Sequence, residues 1–235
     1  MAIRRPPTTF SDSITGADLA SDIAISTTGN IATTGSGTLS VAGTSTLTGA
    51  LSVDTISEKT SANGVSIDGL KLKDYSLMYG SNIGLTVSSD GYILKPNQPA
   101  FQVKLDATKS AGTDFSSTND IPFNTEIFDV GSNFNTSTET FTAPITGKYQ
   151  LNIHLYLLHI SANDGYIECQ MITSNRNYYI IYDPNGQDAT STYLTLQHSV
   201  LADMDAGDTA KCIIVYTGPS FGISDGSQFS GYLVT

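Results

Sequence analysis

The sequence predicts an all-β protein in which a thin repetitive β-stem precedes a C-terminal sandwich or jelly roll. Only 14% of the 235 residues are charged, and Gly, Ser and Thr are abundant, which favours strands and turns over helices. After position 99, short segments with alternating apolar residues follow one another between turn residues. The patterns divide the chain into an anchoring arm, a repeat stem, a hairpin connector or collar and a head, at 1–20, 21–57, 58–98 and 99–235.

The first residues combine two positive charges with two prolines. Arg4 and Arg5 precede Pro6 and Pro7, in a chain whose net charge is −11. Proline favours an extended backbone, so we expect 1–20 to lie as an arm on an acidic protein surface. No apolar run follows the arginines, so we expect no secretory signal. The acidic balance argues against a nucleic-acid partner, and no apolar run has the length of a membrane span.

The stem carries a six-residue repeat. Gly37, Gly43 and Gly49 lie six residues apart, each at the second position of its unit, in SGTLSV, AGTSTL and TGALSV. Apolar residues recur two positions apart within the units, which is typical of short strands with one apolar face. One such stripe has no second layer to pack on. A disordered linker, a single-chain solenoid and a fibre of mutually wrapped chains all remain open, and the preserved phase of the apolar positions favours the fibre.

The connector is expected to form small hairpins. Asn63-Gly64 and Asp68-Gly69 are residue pairs typical of tight turns, and Val65, Ile67, Leu70 and Leu72 surround them. The string SEKTSANGV-IDG-KLKD, within 57–74, resembles a connector in the fibre and appendage proteins of marine tailed phages. That resemblance implies a virion structural protein whose N-terminal arm meets a tail, portal or capsid protein.

The head contains many short strands. In GKYQLNIHLYL the apolar side chains share one face and the polar side chains share the other, which indicates a strand with one face on a core. Phe123, Asp129, Phe134, Phe141, Gly147 and Tyr149 follow one another at short, specific intervals, and the chain ends with FSGYL at 229–233. These intervals resemble the C1q domain of the C1q/tumour-necrosis-factor superfamily, over residues 99–235.

The resemblance implies a ten-stranded jelly roll that assembles as a homotrimer. It also implies that five aromatic residues fill the core or the subunit contacts: Phe123, Phe134, Phe141, Tyr149 and Phe229. Leu151 and Ile153 stand where the family usually has aromatic residues. Both are apolar and share a face, so we expect the core to repack around them.

Two cysteines lie far apart in the head. Cys169 alternates with polar neighbours in IECQM, which places it on the apolar face of a strand. A buried free thiol is the favoured interpretation, and a Cys169–Cys212 disulfide is the alternative.

Nothing in the chain predicts an enzyme or a firm cofactor site. Asp203, Asp205 and Asp208 lie close together in ADMDAGDTA, which makes them weak calcium candidates, with a polar turn as the simpler interpretation. No catalytic sequence motif occurs. His154 and His198 are expected on the strand faces opposite the aliphatic residues, in solvent or in an interface.

Aromatic residues near loops are the candidates for binding. Tyr178, Tyr179 and Tyr182 in NYYIIYDPNG, and Phe221 in TGPSFG, combine with Asn and Asp in a way that suits carbohydrate or protein contact. Packing in the core or in the trimer interface is the alternative for each.

These features together predict a structural protein of a tailed-phage virion, made in the host cytoplasm and exposed on the particle surface. It would form a trimeric fibre, spike or appendage whose tip touches a host-surface glycan or protein, or only registers the trimer. A secreted C1q-like binding or signalling module is the alternative, and a polysaccharide depolymerase is a third possibility.

Overall fold

The computed structural model describes residues 48, 56, 65–67, 70–116, 119–161, 165–185, 191–218 and 221–235, and in these ranges the chain forms strands and turns without a helix. Contacts divide the chain into two units, Met1–Thr55 and Ile56–Thr235. The predicted arm, with Arg4, Arg5, Pro6 and Pro7, lies outside the described residues, as does the predicted stem apart from positions 48 and 56. Over the described ranges, no helix is long and apolar enough to cross a membrane.

The collar is a single antiparallel sheet in which the five strands follow chain order. Its register places Ile67 opposite Leu70, so the turn predicted at Asp68-Gly69 falls between paired residues, although 68 and 69 lie outside the described ranges. The next turn places Asp74 and Tyr75 at φ values of 46° and 63°, which tightens the connection. The strands are β1 Val65–Ile67, β2 Leu70–Lys73, β3 Ser76–Tyr79, β4 Asn82–Val87 and β5 Ile93–Leu94.

The head is built from two sheets that enclose one core. Its strands are β6 Ala100–Lys104, β7 Lys109–Ser110, β8 Asn119–Asp120, β9 Thr125–Val130, β10 Phe134–Asn135, β11 Thr140–Thr142, β12 Gly147–Ile160, β13 Ile167–Thr173, β14 Asn177–Tyr182, β15 Ser191–Met204, β16 Thr209–Tyr216, β17 Gly222–Ile223 and β18 Gln228–Leu233. The seven-stranded sheet has the order β7-β17-β12-β18-β6-β9, and β15 also pairs with β12. The six-stranded sheet has the order β10-β11-β16-β13-β14, and β8 also pairs with β16.

This arrangement confirms the predicted all-β jelly-roll sandwich, with thirteen strands in the described part of the head rather than ten. Four of the thirteen contain only two residues, and such short pairings leave no clear periodicity in the sequence. The segment NYYIIY, interpreted above as lying beside loops, is strand β14. Its alternation is hidden because both of its faces carry large apolar side chains.

The core lies between the two sheets and is rich in phenylalanine. Phe101 stacks on Phe134 and Phe141, with ring centroids 5.3 and 4.6 Å away, and meets Phe229 edge-on at 5.1 Å. The five aromatic residues predicted for core or subunit contacts, Phe123, Phe134, Phe141, Tyr149 and Phe229, are all buried within the single chain. Leu151 and Ile153 are buried as well, so the core accepts aliphatic residues at these two positions.

Candidate binding surfaces of the head

Strand β14 presents its tyrosines in two directions. Tyr178 and Tyr182 are partly buried and pack against the core, because they alternate with the outward residues. Burial raises the pKa of Tyr178, with a smaller opposing effect from Arg176. Tyr179 and Ile181 point outward and are 53% and 60% exposed. Among the three tyrosines predicted to contact a receptor, Tyr179 is therefore the one whose side chain is mainly on the surface.

The outward face of the six-stranded sheet surrounds Tyr179 with mixed chemistry. Tyr179 pairs with Gln170, which pairs with Ile213 on the next strand. Ile181 pairs with Glu168 in the adjoining row, and the Gln170 amide donates a hydrogen bond to the Glu168 carboxylate. An aromatic ring beside an amide, a carboxylate and aliphatic side chains can contact a sugar ring or a protein loop. We call these five residues the tyrosine face.

The prediction that Phe221 is a surface contact is wrong. Its side chain is only 2% exposed. The ring meets those of Tyr216 and Phe115 edge-on, with centroids 5.0 and 5.9 Å apart. The Tyr216 hydroxyl donates to the Phe115 carbonyl at 2.9 Å, so this cluster closes one end of the core. Sequence reasoning fails here because a position beside a loop is not necessarily an exposed one.

The outward face of the seven-stranded sheet carries a hydrogen-bonded polar centre that sequence reasoning did not identify. The Gln150 amide donates to the Ser199 hydroxyl at 2.7 Å, and that hydroxyl donates to the Asn152 side-chain oxygen at 2.6 Å. Gln102 donates to Gln228 on the neighbouring pair of strands. The alternation in β12 shows which residues face outward, but only the pairing of strands distant in sequence brings these amides together.

Apolar residues flank this polar centre on both sides. On one side Leu201 and Tyr232 pair with Gln150 from the two neighbouring strands, and they are 57% and 47% exposed. On the other side the rings of Tyr156 and Tyr193 lie 5.7 Å apart. Exposed aromatic and aliphatic groups around satisfied polar groups are typical of protein interfaces. We call this surface, with its polar centre and flanking apolar residues, the amide face.

The side chains of His154 and His198 lie on opposite sides of the seven-stranded sheet. His154 lies on the amide face, where its Nδ1 is 2.9 Å from the Gln197 amide nitrogen. His198 pairs directly with Ile153, a buried residue, so the prediction that it faces away from the aliphatic residues is wrong. The reason is the register of β15, in which the even-numbered residues Leu196, Ala202 and Met204 are the buried ones.

Two of the three acidic residues proposed as calcium ligands, Asp203 and Asp208, have other partners for their carboxylates. The Asp203 carboxylate accepts two hydrogen bonds from the Arg176 guanidinium, at 2.7 and 2.8 Å. Asp208 accepts from the Asp205 backbone N–H at 2.8 Å and from the Asn175 amide at 3.0 Å. In the described part of the chain, no group of three or more His, Cys, Asp or Glu residues is placed to hold a metal ion. This geometry is that of a closed polar turn, and calcium binding stays a prediction that it does not support.

Both cysteines are free and buried, which confirms the favoured interpretation. They face the core on neighbouring strands, where Met171 pairs with Cys212 and Cys169 pairs with Ile214. Burial raises the pKa of both thiols well above the usual range. The neutral thiols therefore act as small apolar side chains in the core.

The two-sheet architecture, with mixed aromatic, amide and aliphatic side chains on its outward faces, defines a jelly-roll domain suited to binding. Residues 100–234 match the C1q domain family, and the chain belongs to that family. No curated protein matches the chain.

The head is also similar to solved structures. The globular domain of a zebrafish complement 1qA protein aligns with 59% of this chain and 98% of its own, at 17% identity and a TM-score of 0.45. Murine APRIL aligns with 58% and 99%, at 12% identity and a TM-score of 0.43. The Eiger TNF of S. frugiperda aligns with 58% and 91%, at 11% identity and a TM-score of 0.41.

Proposed function

We propose that this protein is a non-enzymatic, homotrimeric binding module, with the C1q head as the exposed tip of a virion appendage. In the trimer the amide face forms the subunit contact. The tyrosine face, on the opposite sheet, stays open to a host-surface glycan or protein. Three copies held together convert weak single contacts into avid binding.

The proposed trimer rests mainly on the residue composition of the amide face. Its polar groups are already paired within the chain, so covering them leaves few unsatisfied donors. Its apolar residues would lose exposed area on contact, which favours association. C1q-type domains assemble as trimers, and residues 100–234 of this chain belong to the C1q domain family.

The virion assignment depends on the string at 57–74 and on the order of the regions. A basic arm, a striped stem and a hairpin collar precede the head, an order that suits an appendage anchored at one end. The alternative is a secreted C1q-like module outside any particle, and the C1q domain itself favours that possibility equally. Both alternatives use the same trimer and the same tyrosine face.

The trimer is tested by the solution mass of the full chain, measured by light scattering, with matched substitutions on the two sheets. Asn152→Lys places a charge in the centre of the amide face, and Gln170→Lys places one in the centre of the tyrosine face. Both are partly buried residues in strand interiors. We expect the wild type and Gln170→Lys to be trimers and Asn152→Lys to dissociate. A monomeric wild type, or dissociation of both variants, would overturn the proposed interface.

The location is tested separately with antibodies raised against the head. Labelling of intact particles supports the virion assignment, whereas protein found only in particle-free culture medium supports the secreted module. Release of reducing sugars from host envelopes by the purified trimer would contradict the non-enzymatic assignment.

A further inference from the structure

The collar has one face that is predominantly apolar. Direct pairing places Val65 with Leu72, Leu72 with Leu77 and Leu77 with Leu85 on the same side of the sheet. Ile67, Leu70, Tyr79, Val87 and Ile93 extend this side by the same register. We call these nine residues the open face. The opposite side is more polar, because Lys71 and Thr86 project there.

The open face has no second layer over it in the part of the chain that the structure describes. Ile67, Leu72 and Ile93 are 56%, 52% and 70% exposed, and Ile56 lines the same apolar groove of about 590 Å³. A monomer rarely leaves a contiguous apolar patch of more than a few hundred Å² exposed. A single sheet also needs packing on one face for independent stability. We therefore expect the open face to be covered in the assembled protein.

The collar and the head are joined by a short, hydrogen-bonded connection. This connection favours a second copy of this chain as the partner that covers the open face. Leu94 ends the collar sheet and Ala100 begins the first strand of the head. The Asn97 amide donates to the Ile83 carbonyl of the collar at 2.9 Å. Gln98 donates to the Leu233 carbonyl of the head, and the Leu233 N–H donates to the Pro99 carbonyl at 3.0 Å. Three heads in one trimer would hold three collars within a short tether of one another, at a high effective concentration.

The charge distribution agrees with contact between identical chains. The open face carries no charged side chain, and the nearby Lys73 and Asp74 are paired at 3.5 Å at its rim. The chain as a whole has a net charge of −11, so two copies repel each other on average. An uncharged apolar face avoids this repulsion, and such faces are typical of permanent subunit interfaces.

We propose that the open face is a second interface between copies of this chain, in which the collars pack their open faces together around the trimer axis. The collar is then an additional trimer clamp rather than a spacer. This inference rests on the proposed homotrimer, and it assigns to residues 65–94 a contact that the head does not need.

Adjacent residues of β5 provide the test in the full-length protein. Ile93 lies on the open face, and Leu94 pairs with Thr86 on the other side. Both are exposed in the single chain, so Ile93→Cys and Leu94→Cys should fold equally well. The native Cys169 and Cys212 are buried and should not react. Each variant is treated with a short bismaleimide, and the products are separated by denaturing electrophoresis, alongside light scattering of the untreated protein.

The tether gives the thiols of both variants an effective concentration in the millimolar range. Only the thiols of Ile93→Cys would face one another across the collar interface. We therefore expect roughly ten-fold more interchain crosslink from Ile93→Cys than from Leu94→Cys. A trimeric mass with equal or absent crosslinking at position 93 would overturn the collar interface and leave the head trimer intact. If the thiol of Ile93→Cys were protected from a monofunctional maleimide and also formed no interchain disulfide on mild oxidation, the cover would be the chain's own residues 1–55 rather than a second collar, which also overturns the collar interface. A monomeric mass would overturn both the trimer and the collar interface.

Discussion

The collar and the head are both antiparallel sheets of short strands, yet they differ in what covers their apolar sides. In the head two sheets face each other, and residues such as Phe101 and Tyr149 are almost completely buried. In the collar one sheet leaves Ile67, Leu72 and Ile93 about half exposed or more. Alternation in a strand therefore specifies an apolar side, but a second layer decides whether that side becomes a core within one chain.

The largest difference between the two regions is expected for the removal of a large side chain. Phe101→Ala deletes a ring that contacts three others in the head core, and should lower the free energy of unfolding by about 3–5 kcal/mol. Leu94→Ala, on the polar side of the collar, should cost less than about 1 kcal/mol because the side chain is half exposed. Denaturant titration followed by far-ultraviolet circular dichroism measures both.

Leu85→Ala sharpens this comparison because Leu85 lies on the open face. If other chains cover that face, the cost should approach the roughly 2–5 kcal/mol of a buried leucine and should depend on protein concentration. A small cost that is independent of concentration would contradict the collar interface.

The next largest difference in stability between head and collar is expected when glycines within their strands are replaced by alanine. A Cβ on Gly231 would lie 2.7 Å from both Leu151 Cδ2 and Phe101 Cε1, so Gly231→Ala should destabilise the head by about 1–3 kcal/mol through overpacking. Gly84 in the collar has the Leu77 carbonyl oxygen 3.6 Å away as its nearest neighbour. Gly84→Ala should therefore be close to neutral. Equal losses in thermal unfolding would show that the collar is packed as tightly as the head.

Alkaline pH should weaken the head through its buried thiols. Burial raises the folded-state pKa of Cys169 and Cys212 above the unfolded value, so the stabilising effect is complete below the unfolded pKa of about 8.5 and declines at higher pH. Each thiol should lower the free energy of unfolding by up to about 1.4 kcal/mol per pH unit above that point. Cys212→Ala should reduce the slope between about pH 9 and 10, below the titration of most tyrosines. An unchanged slope would mean that other groups cause the loss.

The smallest effect is expected for the surface ion pair of the head. Arg176 and Asp203 are 54% and 43% exposed in their side chains, so Arg176→Ala should cost less than about 1 kcal/mol although one guanidinium nitrogen contacts both carboxylate oxygens. The same variant frees the Asp203 carboxylate. Calorimetric titration with calcium then tests whether the acidic turn binds the ion with its cation partner removed, and heat release in the wild type at comparable affinity would support the calcium prediction directly.

The sequence predicts core positions best where one side of a strand is buried and the other is exposed to solvent. In β12 strict alternation identifies Tyr149, Leu151 and Ile153 as core residues, and all three are buried. It is least informative where both sides are apolar, as in NYYIIY, whose pattern does not reveal a strand. The candidate contacts show the same limit: Tyr179 is exposed on β14 while Phe221 is buried, and nothing local distinguishes the two.

The sequence by itself determined the β class, the family of the head and most of the core positions, because these depend on local periodicity and on specific spacing. The tertiary structure decided which strands become neighbours, and therefore the amide face, the tyrosine face and the direction of His198. It also decided that the collar's apolar side lacks a second layer among the described residues. Pairing between residues far apart in sequence depends on the closure of long loops around a shared core, and no local pattern records which loops close.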